Sequence, residues 1–288
     1  MSADAVDASG VALRLARPPR RVVSLVPSLT EALFALGAGE PVAGVTRYCE
    51  EPAEAVAALP KVGGTKNPDL AAIAALAPDL VIASSEENRE ADVAALRASG
   101  LTVFVTHYPT VTAALDGIER LARILAVDPS GIEWLEAARA AVAECAARRE
   151  RPVRYFCPIW RRPYMVARRD TYMADLLALA GGTSAFPEHG PAHYFTVELD
   201  GLPAAAPEVI LLPDEPYRFG PRHLAEFAPF AGVPAVAHGR IHLVDGKALT
   251  WYGPRIAPAL RLFSNLLRTE PGAALAVATG EQGTQGRQ

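Results

Sequence analysis

Apolar residues along this chain keep two rhythms. Short unbroken runs, such as Val22-Val23-Ser24-Leu25-Val26, Leu80-Val81-Ile82-Ala83 and Val209-Ile210-Leu211, sit between prolines, glycines and charged residues. They predict strands buried on both faces. Further strands are predicted over 41–45, 101–105, 153–157 and 241–244. Between them lie Ala- and Leu-rich stretches whose apolar positions recur every three or four residues. One such helix is predicted to open at the capping box Ser28-Leu29-Thr30-Glu31 and to stop at Gly37; others cover 112–126, 172–179 and 255–268. Strands alternating with helices at this spacing predict an α/β protein with parallel, helix-covered sheets. Residues 1–10 show neither rhythm and read as a loose arm, followed by a short edge strand over 11–15.

One stretch organises the rest. From Asp128 to Arg151 the chain reads as a single helix, with Asp128 as cap, Pro129 at the first helical position and a stripe of Ile132, Leu135, Ala138, Val142 and Cys145. No Gly or Pro lies between Ile132 and Arg151, so the helix is expected to be a rigid strut. The segments on either side echo each other. Ala77-Pro78-Asp79-Leu80-Val81-Ile82 returns as Ala206-Pro207-Glu208-Val209-Ile210-Leu211, and an acidic loop follows each copy. The expected organisation is an α/β lobe over 1–127, the connecting helix over 128–151, a second α/β lobe over 152–279 and a disordered tail over 280–288.

Composition narrows the function. At 288 residues the chain suits about two domains. A formal net charge of −4 argues against a nucleic-acid partner. Cys49, Cys145 and Cys157 lack the spacing of a zinc site or a disulfide framework, and no run is apolar for long enough to cross a membrane. As written, the chain carries no export signal and is expected to stay in the cytoplasm. Nucleophile elbows, zinc-protease motifs and phosphate loops are absent, so no catalytic residue is expected. His189 and His193 are separated by Gly190-Pro191, which breaks the helix that would align them, and no metal ligand is expected.

In parallel sheets the loops after the strands face the ligand. The candidates are therefore Pro27, Ser28, Arg47, Tyr48, Asn67, Glu86, Trp160, Arg161, Trp251 and Tyr252, with Thr65, Lys66, Glu87 and His193-Tyr194 beside them. Aromatic and basic groups together suit a bulky ligand with flat faces and some negative charge. Plainer readings stand next to this one: Trp160 as core packing, and the arginines near it as a solvated face.

The ordered motifs Arg21–Pro52, Leu59–Ala83, Ala206–Pro216, Gly239–Gly246 and Thr250–Ile256 resemble the type III substrate-binding proteins, the cobalamin- and iron-siderophore-binding receptors of ABC importers. The resemblance spans about residues 11–268. It implies two lobes joined by one long helix, a shallow cleft and little hinge motion. It implies a non-catalytic, monomeric protein that needs no cofactor and carries cobalamin or a related corrinoid, or a ferric siderophore, to an ABC permease. Pro27, Tyr48 and the segment Ala248–Tyr252, including Thr250, match ligand-contacting positions of that family. Glu90 and Glu215 fall near the acidic residues that dock on the permease, and are expected to be exposed at the outer tips of the two lobes. Ser84 stands where cobalamin-binding members often carry an aromatic. The resemblance implies a periplasmic or cell-surface location. The rival is a cytoplasmic enzyme or metal-handling protein on the same two lobes.

Overall fold

The computed structural model describes residues 3–148 and 150–268. The first lobe holds β1 (Ala3–Val6), β2 (Ala12–Leu15), β3 (Val22–Ser24), α1 (Pro27–Ala35), β4 (Val42–Val45), α2 (Ala53–Ala57), α3 (Leu70–Ala75), β5 (Leu80–Ser84), α4 (Glu90–Ala98), β6 (Val103–Thr106) and α5 (Val111–Ile124). The helix α6 (Glu133–Ala147) follows. The second lobe holds β7 (Val153–Phe156), β8 (Pro158–Trp160), β9 (Tyr164–Ala167), α7 (Tyr172–Leu179), β10 (Gly182–Ser184), β11 (Tyr194–Val197), α8 (Leu202–Ala205), β12 (Val209–Pro213), α9 (Pro234–Ala237), β13 (Ile241–Val244), α10 (Gly246–Thr250) and α11 (Ile256–Arg268).

Each lobe has a four-stranded parallel sheet, ordered β4-β3-β5-β6 in the first and β10-β7-β12-β13 in the second. Numbered within its own lobe, each order reads 2-1-3-4. The echo in the sequence therefore reflects matching topology, and it extends to the backbone. Ala77 and Ala206 both take the left-handed φ of 44°, each just before a proline. The acidic residues that follow do the same job. Asp79 Oδ2 accepts the backbone N–H groups of Arg20 and Arg21 at 2.8 and 3.1 Å, and Glu208 Oε2 accepts that of Arg154 at 3.0 Å. The second lobe adds an antiparallel sheet, β11-β9-β8, which the unbroken apolar runs do not announce.

The connecting helix is shorter than its sequence suggests. Gly131 takes φ 77° and α6 starts only at Glu133, with Ile132 as its cap. Asp128 instead accepts the N–H of Ser130 at 3.0 Å in a local turn that competes with the helix. Leu135, Ala138 and Cys145 are buried as the stripe predicts, while Ile132 and Val142 are only half-buried. The helix still touches both lobes. Trp134 Nε1 donates to the carbonyl of Ala35 at 3.0 Å, closing the end of α1, and the opposite flank packs on α7 and α11. One apolar core runs through Leu29 and Leu115 of the first lobe, Leu135 of α6, and Leu176 and Phe263 of the second. Such a continuous core resists relative motion of the lobes.

Two other local expectations are corrected. The arm is a hairpin, because Asp7 Oδ1 accepts from Ser9 N and Val11 N and Gly10 supplies the positive φ of the turn. Ala8 N then donates to Val105 O at 2.8 Å and secures the hairpin on the edge strand β6. The capping box at Ser28 does not form. Pro27 opens α1, Thr30 Oγ1 turns back to Val26 O, and Glu31 is taken by Arg255 at 2.8 Å. The tail over 280–288 lies outside the described residues.

Candidate functional site

A cavity of about 940 Å³ opens between the lobes, near the upper end of ordinary small-molecule sites. The first lobe brings the residues that follow its strands: Pro27 after β3, Tyr48 and Glu50 after β4, Asn67 before α3, and Glu86 and Glu87 after β5. The second lobe answers with Trp160, Tyr194, Glu215, Thr250, Trp251 and Tyr252.

Among the described residues the exposed large aromatic side chains are Tyr48 at 52%, Trp160 at 44% and Tyr194 at 44%, and all of them line this cavity. Local sequence explains each. Gly64 leaves room for Tyr48 and Asn67, since a Cβ there would stand 3.2 Å from the Tyr48 ring and 2.4 Å from Asn67 Oδ1. A register shift in β8 sets Trp160 opposite Met165 of β9, and Tyr194 of β11 pairs with Ala167, two residues further along the same strand. Residues two apart share a face of a strand. Trp160 and Tyr194 thus stand on one face of the antiparallel sheet. Trp160 is steadied by an edge contact with Tyr217 at 5.9 Å.

The polar part of the lining is acidic. Glu50, Glu86, Glu87 and Glu215 line the cavity, and Lys66 is the one cation among the described residues that does, its Nζ donating to the carbonyl of Glu86 at 2.6 Å. The expected basic character is therefore corrected. Arg47 does not line the cavity and lies behind the Tyr48 ring, 5.9 Å from its centroid. Arg161 is held by Glu226, with Nε 3.0 Å and Nη2 2.7 Å from its carboxylate oxygens, and the Tyr164 hydroxyl donates to the same group. Ser28 is buried and also falls outside the lining.

Crowding alters the carboxylates. Burial, with the like charge of Glu86 adding to it, pushes the Glu87 carboxyl up to about 7 against the pull of Lys66. Burial also raises Glu86, despite His107, whose Nδ1 lies 3.7 Å from its carboxylate. The Tyr194 phenol is raised by burial and by both glutamates.

Trp251 lines the cavity but is only 8% exposed, because its ring already carries Lys247 Nζ at 4.9 Å and Arg255 Cζ at 5.4 Å from the centroid. Those cations cross between the lobes. Lys247 reaches Glu50 at 3.1 Å and Glu51 at 3.5 Å, while Arg255 reaches Glu31 and Glu51. Of the two presumed docking residues, Glu90 is exposed at the start of α4. Glu215 is not at an outer tip: it is half-buried on the cleft wall, packed against Gly246, where a Cβ would meet its backbone at 2.6 Å. Among the described residues, no group of three or more His, Cys, Asp or Glu could hold a metal ion, and no helix is long and apolar enough to cross a membrane.

The sequence profile of the periplasmic binding proteins matches residues 22–248, most of both lobes. The chain belongs to this family. A vitamin B12-binding protein of Vibrio cholerae is 26% identical over 195 residues, covering 67% of this chain and 70% of the relative. Among solved structures, the periplasmic vitamin B12-binding protein of Vibrio cholerae superposes with a TM-score of 0.74 at 21% identity, covering 87% of this chain and 97% of that one. A periplasmic heme-binding protein of Roseiflexus sp. RS-1 gives a TM-score of 0.73 at 28% identity, covering 86% and 99%. The α/β architecture of two lobes joined by a long helix is the one these structures share.

Proposed function

We propose that the protein is the non-catalytic binding component of an ABC importer and holds a corrinoid, cobalamin or a close relative, in the cleft between its lobes. The observation that carries this reading is the trio of exposed rings, Tyr48, Trp160 and Tyr194, around one large cavity with a carboxylate rim. Exposed aromatics cost hydration unless a flat apolar partner covers them. A corrin ring offers such a partner, and its amide side chains bring N–H donors to the glutamates. The vitamin B12-binding relatives point the same way. In this reading the protein works outside the cytoplasm as a monomer and passes its ligand to a permease. Glu90 is an exposed acidic group on the first lobe available for docking.

A second reading, heme, is favoured by the heme-binding neighbours at 28% identity. Heme carries two propionates, and four lining glutamates against one lysine would repel them. Calorimetric titration with cyanocobalamin, ferric heme and a ferric hydroxamate separates the readings. Saturable heat with cyanocobalamin is expected. Binding of heme or the hydroxamate alone would overturn the corrinoid reading.

A further inference from the structure

The cleft is unusual in pairing a wall for a flat chelate with an acidic corner and hardly any basic counterweight. Glu86 and Glu87 stand side by side at the end of β5, and Glu50 and Glu215 share the same lining. Some of this charge is spoken for. Glu50 is bridged by Lys247, and Glu215 feels the same ammonium. At the Glu86–Glu87 corner Lys66 attracts both carboxylates but donates its hydrogen bond to the Glu86 backbone carbonyl, and Glu86 also feels His193 and His107, the latter 3.7 Å away. The exposed rings of Tyr48, Trp160 and Tyr194 line the same cavity, so a flat ligand seated on them shares it with this corner.

We propose that the Glu86–Glu87 corner makes the cleft selective for the cationic, aqua-liganded form of a corrinoid over its neutral, cyano-liganded form. The inference rests on the corrinoid reading above. Its physical basis is simple. Water bound to a trivalent metal is a far stronger hydrogen-bond donor than free water, because the ion draws charge from its oxygen. A carboxylate in a partly dry cleft is its natural acceptor, and such charge-assisted bonds are about twice as strong as neutral ones. A bound cyanide offers only an acceptor, and faces two carboxylates as a repulsive partner. Among the described residues no histidine lines the cavity, so the selectivity does not need an imidazole to replace the bound water.

The test is a pair of titrations just above neutral pH, with aquocobalamin and cyanocobalamin, which share shape and size. The wild-type protein should bind the aqua form on the order of tenfold more tightly. Glu86→Gln, Glu87→Gln and the double substitution should bring the ratio of the two affinities toward one, whatever happens to either affinity alone. Glu90→Gln, on the exposed start of α4 outside the lining, should leave the ratio as it is. Equal affinities in the wild type overturn the inference while leaving the corrinoid reading intact. Retention of the full ratio by the folded double variant overturns it too, as would its loss in Glu90→Gln, which would signal a diffuse field. If neither corrinoid binds, the functional reading fails and the inference with it.

Discussion

A carboxyl group buried in a cleft, with a second carboxylate beside it, keeps its proton to higher pH than one in water, and Glu87 is so placed. Its folded value of about 7 stands above the ordinary 4.5. Below the ordinary value the group is protonated in both states. As pH rises from there toward 7, the unfolded chain gives up the proton first, so stability falls through that window and stays lower above it. Glu87→Gln should therefore raise the melting temperature above pH 7 and leave it nearly unchanged in acid; an identical pH slope for the variant would contradict this. The aromatic residues divide in a similar way. Trp160→Ala should weaken ligand binding by about 1–3 kcal/mol, as expected of a central ring anchor. Trp251→Ala should act mainly on stability, because Lys247 and Arg255 already occupy its ring. At this scale the sequence was only partly legible. Tyr48, Asn67, Glu86 and Trp160 could be found because loops after parallel strands face the ligand. Arg161 could not be sorted out, since its partner Glu226 lies 65 residues away. Nor could Trp251, whose cations are fixed by contacts with the other lobe.

The connecting helix shows what an apolar stripe does and does not specify. Leu135 is 3% exposed, and Leu135→Ala should cost about 2–5 kcal/mol in a urea melt. The same truncation at Val142, which is half-buried, should cost distinctly less. Equal losses at the two positions would mean that the stripe faces the core differently. The stripe was readable because its period is local. The helix start was not, because Asp128 caps a turn as readily as a helix and only the positive φ of Gly131 decides between them. The turn of the hairpin at the other end of the first lobe is organised by one side chain. Asp7 is 6% exposed. Burial alone would raise its carboxyl, but donors from Ser9, Val105, Val11 and Arg97 together hold it below the ordinary range. Such a group stabilises the fold above the ordinary carboxylate value and loses that contribution as pH falls through its lowered one. Asp7→Ala should cost about 1–3 kcal/mol by leaving the buried N–H of Val105 without its acceptor, and the loss should shrink in acid.

In the whole molecule, matching sheets, matching left-handed alanines and matching acidic anchors make two copies of one unit, joined through a core that neither owns alone. That much was visible in the sequence, because strand runs and the repeated Ala-Pro motif survive in both halves. The antiparallel sheet carrying Trp160 and Tyr194 was harder to see, since its strands are short and half-exposed. The charge of the cleft was misread for a related reason. Arginines near an aromatic look like ligand contacts until their own carboxylate partners are placed. The ion pairs from Lys247 and Arg255 to Glu31, Glu50 and Glu51 tie the two lobes together beside the cleft. The claim that this cleft holds a corrinoid is tested most directly by titrating the protein with cyanocobalamin while following tryptophan emission. A saturable one-to-one quench is predicted, largely lost in Trp160→Ala and kept in Trp251→Ala. An emission that does not respond to the corrinoid but saturates with heme would contradict the claim.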